Sequence, residues 1–374
     1  MSEAPDTTLD NTVAEEFQQD LTASHRVAAA ALESFVGAVL RGAGADAPSA
    51  DAAVRALVGA SLRGVDSHGV RLLPHYVKVL EGGRVKSRPQ MRFDKRAAAA
   101  GVLDADNALG HFAGYRAMEE AVRLAEDAGV GAVSVLNSSH FGAAGAYSLA
   151  AAEAGCLGLC VCNSDSAVFA HSGQARFHGT NPISLAAPVA GQRPYLLDMA
   201  TSSIPFNRVL QFRALGQRLP AEVAVDAEGK VTQDSEAATA LLPLGGSTYG
   251  YKGAGLAGLV EILSAALTGM RLSHEIPSMI ESDWSKPRDM GQFFLALKPD
   301  TFLPRKDYEE RMAAYLEALR SQPSLEGEAV MAAGDREWAV EDERSARGIP
   351  LDAHNWQVFA GLAERFSLEP PAVL

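Results

Sequence analysis

The stretch Asn137-Ser138-Ser139-His140-Phe141-Gly142 separates two segments of opposite character. The apolar, β-branched run Gly131 to Leu136 precedes it and predicts a strand, and the small-residue run Ala143 to Ala154 follows it and predicts a helix. A histidine in a strand-to-helix loop lies where open α/β sheets place their chemistry. The asparagine and the two serines suit this turn because their side chains can cap the helix. His140 is therefore a candidate functional residue. From this stretch alone, a ring that only hydrogen-bonds the backbone stays an alternative.

Other stretches extend the pattern into an α/β centre with helices toward both ends. Leu157 to Cys162 predicts a second strand, and we expect it to pair in parallel with the first because a helix connects the two. Met290 to Leu297 predicts a further strand. Helical patterns lie at Ser24 to Leu40, after a capping Ser49, at Arg305 to Arg320, after Gly334 and within residues 352–366.

The composition bounds the class of protein. The chain has 374 residues and a net charge of −13, and this acidity argues against nonspecific binding to nucleic acid or to an anionic membrane. Its length predicts about two domains. No apolar run reaches the ~18 residues of a membrane span, and Met1 to Asp20 lacks the pattern of a signal peptide. We therefore expect a cytoplasmic protein with a flexible tail over residues 1–24.

The three cysteines, Cys156, Cys160 and Cys162, lie close together among apolar neighbours. Free cysteine packs like a small hydrophobe, so we predict buried core residues rather than a metal or redox site. An odd count without a secretory pattern fits a reducing compartment.

A second histidine lies in Arg63-Gly64-Val65-Asp66-Ser67-His68-Gly69-Val70-Arg71. Two glycines bracket Asp-Ser-His, which predicts a turn between helices, and Asp66 or Ser67 is a natural N-cap for the helix that follows. His68 and Arg71 are then about one turn apart at a helix start, an arrangement that favours an anion such as a carboxylate. A capped turn with a solvated arginine is the alternative, and the spacing alone does not exclude it.

Gly253-Ala254-Gly255-Leu256-Ala257-Gly258 matches GxGxxG, but the dinucleotide fingerprint needs a strand directly before it. A loop precedes this stretch, so we interpret its glycines as a means of close helix packing. Lys252 is predicted to lie just before the helix N-terminus, where it can hold a phosphate. Residues 216–238 hold turn signals and little core-forming material, which predicts an exposed excursion.

Taken together, these stretches resemble the type-2 malate/L-lactate dehydrogenase family, which is unrelated in fold to the Rossmann lactate and malate dehydrogenases. The resemblance covers most of residues 55–350, in family order. The matching stretches are GVDSHGVR, NSSHFGAAG, HGTNP, LDMATS, LLPLGG, YKGAGLA and FFLALKPDTF.

The resemblance implies an α/β fold with two domains and a nicotinamide-dependent reaction. A central non-Rossmann α/β domain with a mixed sheet, residues 101–303, would bind NAD or NADP. A helical domain would be built from both chain ends, residues 25–100 and 304–374. The family also implies a homodimer with active sites near the subunit interface, and a small carboxylate as the substrate. No metal is expected.

The resemblance also assigns roles to individual residues. His68 and His140 match the family's candidate acid/base histidines, Arg71 matches a position that holds the substrate carboxylate, and Ser67 adjoins them. The cofactor-contacting positions would be Ser164, Gly179, Thr180, Asn181, Asp198, Met199, Ala200, Thr201, Lys252, Gly334, Asp335 and Arg336.

Two stretches depart from the family pattern. Many relatives have a small residue, Gly and Lys after the Thr-Ser, whereas this chain has Ile204-Pro205-Phe206-Asn207-Arg208. The lysine contact is therefore lost or replaced by Arg208. The segment from Ser247 to Tyr251 is also longer than in some relatives.

The function expected from this reading is hydride transfer at C2 of a small 2-oxo or 2-hydroxy carboxylate. Which histidine moves the proton stays open. Reduction of a cyclic ketimine carboxylate is the alternative within the class. A metal-dependent lyase or hydrolase using His68, Asp66 and His140 lacks HxxxH or HxH spacing. A non-catalytic binding protein is the third alternative.

Overall fold

The computed structural model describes residues 23–279, 283–325 and 328–374. Most of the predicted tail, residues 1–24, lies outside the described residues. The helices are α1 Ala29–Gly42, α2 Ala47–Leu62, α3 Leu73–Glu81, α4 Gly110–Ala128, α5 Gly145–Glu153, α6 Phe206–Ala214, α7 Gly246–Glu261, α8 Arg305–Arg320, α9 Asp335–Arg347 and α10 Ala353–Arg365. The strands are β1 Ala23–Val27, β2 Arg92–Ala97, β3 Ala100–Asp104, β4 Val130–Ser138, β5 Leu157–Cys162, β6 Val168–Phe169, β7 Arg176–His178, β8 Ile183–Ala187, β9 Tyr195–Met199, β10 Ala224–Val225, β11 Val231–Thr232, β12 Ala240–Leu241, β13 Met290–Leu297 and β14 Ile349–Asp352.

A seven-stranded mixed sheet forms the centre, in the order β2-β3-β4-β13-β5-β8-β9. The predicted strands at β4, β5 and β13 are confirmed, but the predicted parallel pairing of β4 with β5 is wrong. β13 lies between them and runs antiparallel to both, with Phe294 opposite Val133 on one side and Cys160 on the other. The strand that separates them comes 128 positions after β5 ends, from Cys162 to Met290, so no local pattern could indicate it.

Two smaller sheets complete the fold. β1 pairs antiparallel with β14, which joins residues 23–27 to the C-terminal part of the chain. The prediction of a helix from Ser24 is therefore wrong in its first residues, and the helix begins at Ala29. A five-stranded sheet has the order β11-β10-β12-β6-β7. It takes β10 and β11 from the predicted excursion, where Leu219, Val223 and Ala224 pack in a small core, so that excursion is more ordered than its turn signals indicated.

Hydrophobic clusters show how the elements pack. One cluster combines residues from α1, α2 and α3 with Ile349, Leu351 and Phe359 near the C-terminus. A second fills the space between α4, α5 and the central sheet, and there Cys156, Cys160 and Cys162 are buried and free, as predicted. The helix α8 packs through Leu316 against Val189, next to the central sheet. The division into two domains at residues 100 and 304 stays a prediction.

Helix starts differ from the sequence expectations in one further respect. Asp46, rather than Ser49, is the N-cap of α2, and its carboxylate accepts a hydrogen bond from the Ser49 backbone N–H at 3.0 Å. In the described part of the chain, none of the helices combines the length and apolarity that a membrane crossing requires.

Candidate active site

The loop after β4 carries His140, but its polar side chains do not cap α5. Ser139 Oγ accepts the N–H of Gly110, the first residue of α4, at 2.9 Å and donates to the Ala108 carbonyl at 3.0 Å. Asn137 has a left-handed backbone, with φ +54°, and its amide donates to Asp104 at 2.9 Å. The capping residues predicted for α5 therefore fasten the loop to α4 and β3 instead.

The N-terminus of α5 is met by a residue from another strand. Asp198, near the end of β9, accepts the N–H of Gly145 through Oδ2 at 2.8 Å. A Cβ at position 145 would lie 2.8 Å from this oxygen, so only glycine permits the approach. Burial raises the pKa of Asp198 to about 6, although the hydrogen bond from Gly145 and the charge of Arg63 oppose this shift.

His68 ends the first of two short 3₁₀ turns, Asp66–His68 and Val70–Leu72, that lead into α3. Neither Asp66 nor Ser67 caps α3, whose N-cap is Leu72, so this expectation is wrong. Asp66 instead accepts two hydrogen bonds from Arg344 on α9, at 2.8 and 3.0 Å. The Ser67 hydroxyl lies 2.9 Å from His68 Nδ1. The turn that presents His68 is therefore clamped by α9 from the far end of the chain.

The two histidines singled out from the sequence lie together. Their rings are nearly parallel, with centroids 5.8 Å apart. His140 Nδ1 lies 2.7 Å from the hydroxyl of Tyr76 on α3. The ring of His75 meets that of His140 edge to face, with centroids 6.3 Å apart, and His111 packs against Tyr76 at 4.5 Å. Three histidines, His75, His111 and His140, thus contact Tyr76, and His68 lies next to His140.

The environment of this cluster favours neutral imidazoles. Burial, and then the nearby Arg71, lower the pKa of His68 to about 4. Burial and the neighbouring His68 hold the pKa of His140 well below its usual range. Burial also lowers the pKa of His111 to about 3 and raises that of the Tyr76 phenol above its usual range. Strongly shifted groups in one cleft are typical of a functional site.

A cavity of about 470 Å³ opens beside His68. It is lined by the His68 turn, the start of α5, the end of β9, residues 203–211 and α9. Five arginines and four carboxylates line it, whereas the whole chain has 33 basic and 46 acidic residues. The lining is therefore enriched in positive charge. Of the residues predicted from the sequence, it includes Ser67, His68, Arg71, Thr180, Asp198, Met199, Ala200 and Arg336.

Four of the remaining predicted residues brace the cavity from behind. Ser164 Oγ accepts the N–H of Thr180 at 3.1 Å, and Thr201 Oγ1 donates to the Thr180 carbonyl at 3.1 Å. Asn181 is fully buried; its side chain accepts from the Ser164 N–H and donates to Glu261 at 2.9 Å. Gly179 packs against Ser164, since a Cβ there would lie 2.3 Å from its backbone oxygen.

His140, Lys252, Gly334 and Asp335 are not among the residues that line the cavity. His140 lies next to the lining residue His68. Lys252 lies inside α7, which begins at Gly246, so its predicted place before a helix N-terminus is wrong; it is exposed, with its ammonium 5.4 Å from the Tyr249 ring. Asp335 forms a two-point ion pair with Arg320, at 2.6 and 2.9 Å. Gly334 has a left-handed backbone, with φ +98°, at the N-cap of α9.

Sequence reasoning missed several residues of this site. Arg344 lies 278 positions from its partner Asp66, so no spacing indicated the pair. Tyr76 is a buried residue of α3, and no local pattern indicates its contact with His140, 64 positions away. Asn207, in the stretch that departs from the family pattern, donates to the Ser67 carbonyl at 3.3 Å. The segment that departs from the family pattern therefore contacts the turn that carries His68.

Comparison with known proteins defines the class. The family model described as malate/L-lactate dehydrogenase matches residues 27–360. The malate dehydrogenase of Pyrococcus horikoshii is 35% identical over 90% of this chain and 94% of its own. A solved structure of malate dehydrogenase from that organism covers 92% of this chain and 96% of its own, with a TM-score of 0.84. The chain is therefore an oxidoreductase that acts on hydroxy acids.

More specifically, the chain belongs to the malate/L-lactate dehydrogenase family. The (2R)-3-sulfolactate dehydrogenase (NADP(+)) of Chromohalobacter salexigens is 33% identical over 83% of this chain and 90% of its own. The structure of Δ1-piperideine-2-carboxylate reductase from Pseudomonas syringae is 28% identical, covers 91% of this chain and 100% of its own, and has a TM-score of 0.80. The names of the relatives include both NAD(+) and NADP(+).

Proposed function

We propose that this protein transfers a hydride between NAD or NADP and C2 of a small 2-oxo or 2-hydroxy carboxylate. The observation that carries the proposal is that a neutral imidazole, His68, and a guanidinium, Arg71, line the same cavity. The first can exchange a proton with the substrate oxygen, and the second can hold the substrate carboxylate through two hydrogen bonds.

The lining of the cavity fits a dinucleotide as well as a carboxylate. Arginines outnumber carboxylates there in a chain of net charge −13, which favours anionic groups such as phosphates. Two of these arginines come from different helices, Arg208 from α6 and Arg336 from α9. We propose them, with Thr180, Asp198, Met199 and Ala200, as cofactor-contacting residues, and Ser164, Gly179, Asn181 and Thr201 as their support.

The residues of this chain then divide the chemistry. A bound nicotinamide supplies or accepts the hydride. Arg71 orients C2 by holding the carboxylate, and one of the two histidines donates a proton to the oxygen that becomes a hydroxyl, or accepts it in the reverse direction. A bound carboxylate offsets the charge of Arg71, the second cause of the low pKa of His68. Substrate binding is therefore expected to raise this pKa toward working pH.

Reduction of a cyclic ketimine carboxylate is a second candidate. The similarity to Δ1-piperideine-2-carboxylate reductase, at a TM-score of 0.80, favours it. This reaction needs the same binding of the substrate carboxylate, but the group that accepts the hydride is a C=N bond instead of a C=O bond. The altered stretch at Asn207, which contacts the His68 turn, is the place where this chain differs from the relatives with the Gly-Lys pattern.

We also propose the domain organisation and the homodimer. The central domain would span residues 101–303 and would also include β2, which belongs to the seven-stranded sheet, and α8, which packs against Val189. The remaining residues at both ends of the chain would form the helical domain. In the single chain, a row of apolar side chains stays exposed on and after α7. Its members are Leu256, Leu259, Ile262 and Leu267. Exposed apolar rows of this kind mark subunit contacts.

Titration with NADH and NADPH, followed by nicotinamide fluorescence, tests the proposal. Pyruvate, oxaloacetate and a cyclic ketimine carboxylate are then added in turn, and oxidation of the reduced cofactor identifies the acceptor class. We expect His68→Ala to bind the cofactor as the wild type does and to lose turnover by a factor on the order of 10²–10⁴. Failure of both cofactors to bind would reject the oxidoreductase mechanism proposed here.

A further inference from the structure

The two histidines of the site differ in what holds them. His68 Nδ1 lies 2.9 Å from the hydroxyl of Ser67, which is half-buried. His140 Nδ1 lies 2.7 Å from the hydroxyl of Tyr76, which is 1% exposed. We infer that Tyr76 fixes His140 as the Nε2–H tautomer, so that His140 can act through Nε2 only as a hydrogen-bond donor, while His68, which lines the cavity, exchanges the proton. The inference rests on the proposed function and assigns the two histidines their roles.

The direction of the hydrogen bond between Tyr76 and His140 follows from the need of the buried phenol hydrogen for an acceptor. Among the described residues, Tyr76 has no hydrogen-bond partner other than His140. If Nδ1–H donated to the phenol oxygen, the phenol hydrogen would be buried without an acceptor, and its desolvation would be uncompensated. If the phenol donates to Nδ1, its hydrogen is satisfied, and the unused oxygen lone pairs cost little. The phenol is therefore the donor.

The protonation states of both rings agree with this direction. The phenol keeps its hydrogen at neutral pH because burial raises its pKa. His140 is neutral because burial and His68 lower its pKa. A neutral imidazole whose Nδ1 accepts a hydrogen bond carries its hydrogen on Nε2. His140 can then donate through Nε2 but cannot act as a base there.

The Tyr76 ring is fixed by its neighbours. His111 packs against it with an interplanar angle of 69° and a centroid distance of 4.5 Å, and His75 packs against it at 79° and 5.3 Å. A phenol locked on two sides keeps its hydroxyl at a constant position. Tyr76 is thus a positioning residue that acts through His140.

His68 has the freedom that His140 lacks. The Ser67 hydroxyl can accept a hydrogen bond from the Nδ1–H of His68 and donate its own hydrogen bond to water, because Ser67 is half-buried rather than enclosed. In the reductive direction, C2 gains the hydride of the reduced nicotinamide, which is thereby oxidised, and the C=O π pair moves onto oxygen. That oxygen takes the Nε2 proton of a protonated His68, which becomes neutral with Nδ1–H on Ser67. His140 keeps its own hydrogen throughout.

Imidazole ¹⁵N spectra of the full-length protein test the inference without any substrate. The signals of His140 are identified by their absence in His140→Gln. We expect an unprotonated Nδ1 and a protonated Nε2 in the wild type at pH 7. In Tyr76→Phe we expect both nitrogens to move toward a mixture of tautomers. The matched control is Tyr115→Phe, which removes a buried phenol outside the histidine cluster and should leave these signals unchanged.

Steady-state kinetics provide the second readout. We expect Tyr76→Phe to lower kcat about tenfold, the factor expected for one net hydrogen bond, with an unchanged cofactor affinity and an altered pH profile of kcat. Tyr115→Phe should match the wild type. A wild-type His140 protonated on Nδ1 would overturn the inference, and this measurement decides it even if Tyr76→Phe does not fold. Unchanged spectra and kcat in a folded Tyr76→Phe would also overturn it. Because the spectra need no cofactor, failure of the proposed function is recognised separately, by the absence of nicotinamide binding.

Discussion

Arg71 has two separable effects on the site, through its shape and through its charge. Its planar guanidinium matches a carboxylate in a two-point hydrogen bond, and its charge is the second cause of the low pKa of His68. A lysine at the same position would keep the charge and lose the fork, and a glutamine would lose both. This pair of substitutions therefore separates the two-point hydrogen bond to the carboxylate from the effect of the charge on the pKa of His68.

We expect Arg71→Gln to raise KM for the carboxylate substrate about 100-fold, as befits the loss of a charged hydrogen-bonded pair. The pKa of His68 should rise in this variant because a neighbouring positive charge is gone. In the oxidative direction, in which a neutral His68 accepts the proton, the acid limb of the pH profile of kcat/KM should therefore move to higher pH. Arg71→Lys should raise KM while leaving that limb in place. Identical pH profiles for the two variants would contradict the role given to the charge.

His111 links the histidine cluster to stability. It is fully buried, and neither of its ring nitrogens has a hydrogen-bond partner among the described residues. Its pKa is lowered to about 3, so the unfolded chain binds a proton there that the folded protein does not. The stability that a neutral His111 contributes is complete above its unfolded pKa of about 6.5 and is lost as pH falls toward 3.

We expect the free energy of unfolding of His111→Phe to decrease less than that of the wild type between pH 7 and pH 5. Each proton taken up only on unfolding contributes about 1.4 kcal/mol per pH unit. Asp198, with a pKa raised to about 6, has the opposite sign, but both proteins retain it. Urea denaturation at several pH values measures the difference. Parallel pH dependences in the two proteins would refute the assignment.

At the scale of elements, α7 shows what its glycines do. A Cβ at Gly253 would lie 2.4 Å from the backbone nitrogen of Leu244, whereas a Cβ at Gly255 would meet nothing within 4 Å. The interpretation of this GxGxxG as a packing feature therefore holds for Gly253 and not for Gly255 or Gly258, whose Cβ would likewise meet nothing within 4 Å. The absence of a strand immediately before the helix also agrees with the rejection of a dinucleotide fingerprint, since α7 follows β12 through a four-residue loop, residues 242–245.

We predict opposite effects for the two alanine substitutions. Gly253→Ala should destabilise the protein by about 1–3 kcal/mol, because the added methyl forces the Leu244 backbone away. Gly255→Ala should stabilise it by about 0.5–1 kcal/mol, because alanine is the better helix former and the methyl has room. Thermal unfolding of both variants at one protein concentration measures the two effects. Changes of the same sign would show that the glycines are not distinguished by packing.

At the scale of the whole molecule, the two ends of the chain assemble around the cavity. The pair of β1 with β14 and the clamp of Asp66 by Arg344 both join residues near the N-terminus to residues near the C-terminus. Helix α9 also supplies Arg336 to the lining. The native contacts of the His68 turn therefore include a residue that lies near the other end of the chain.

The exposed apolar row on and after α7 predicts the oligomeric state. We expect the wild type to sediment as a dimer and a Leu259→Asp, Ile262→Asp variant to sediment as a monomer, because charges replace two side chains that are 44% and 63% exposed in the single chain. Phe302→Asp, at an apolar residue that is 67% exposed in the turn after β13, is the matched control and should stay dimeric. A monomeric wild type would contradict the proposed homodimer.

Local patterns in the sequence determined much of this protein. The helix at Arg305–Arg320, the strands at β4, β5 and β13 and the burial of the cysteines follow from periodicity and apolarity, which act between near neighbours. The same patterns placed His68 and His140 in turns, and the joint order of the motifs indicated the family.

Only the tertiary structure decided which groups meet. The insertion of β13 between β4 and β5, the Arg344 clamp on Asp66 and the contact of Tyr76 with His140 join residues 64 to 278 positions apart. Such contacts depend on how whole elements bury their apolar faces against one another. Periodicity along the chain does not identify the distant element that a given helix or strand contacts. Lys252 shows the same limit, because the helix that holds it begins at Gly246, seven residues before the Gly253 that its glycine pattern indicated.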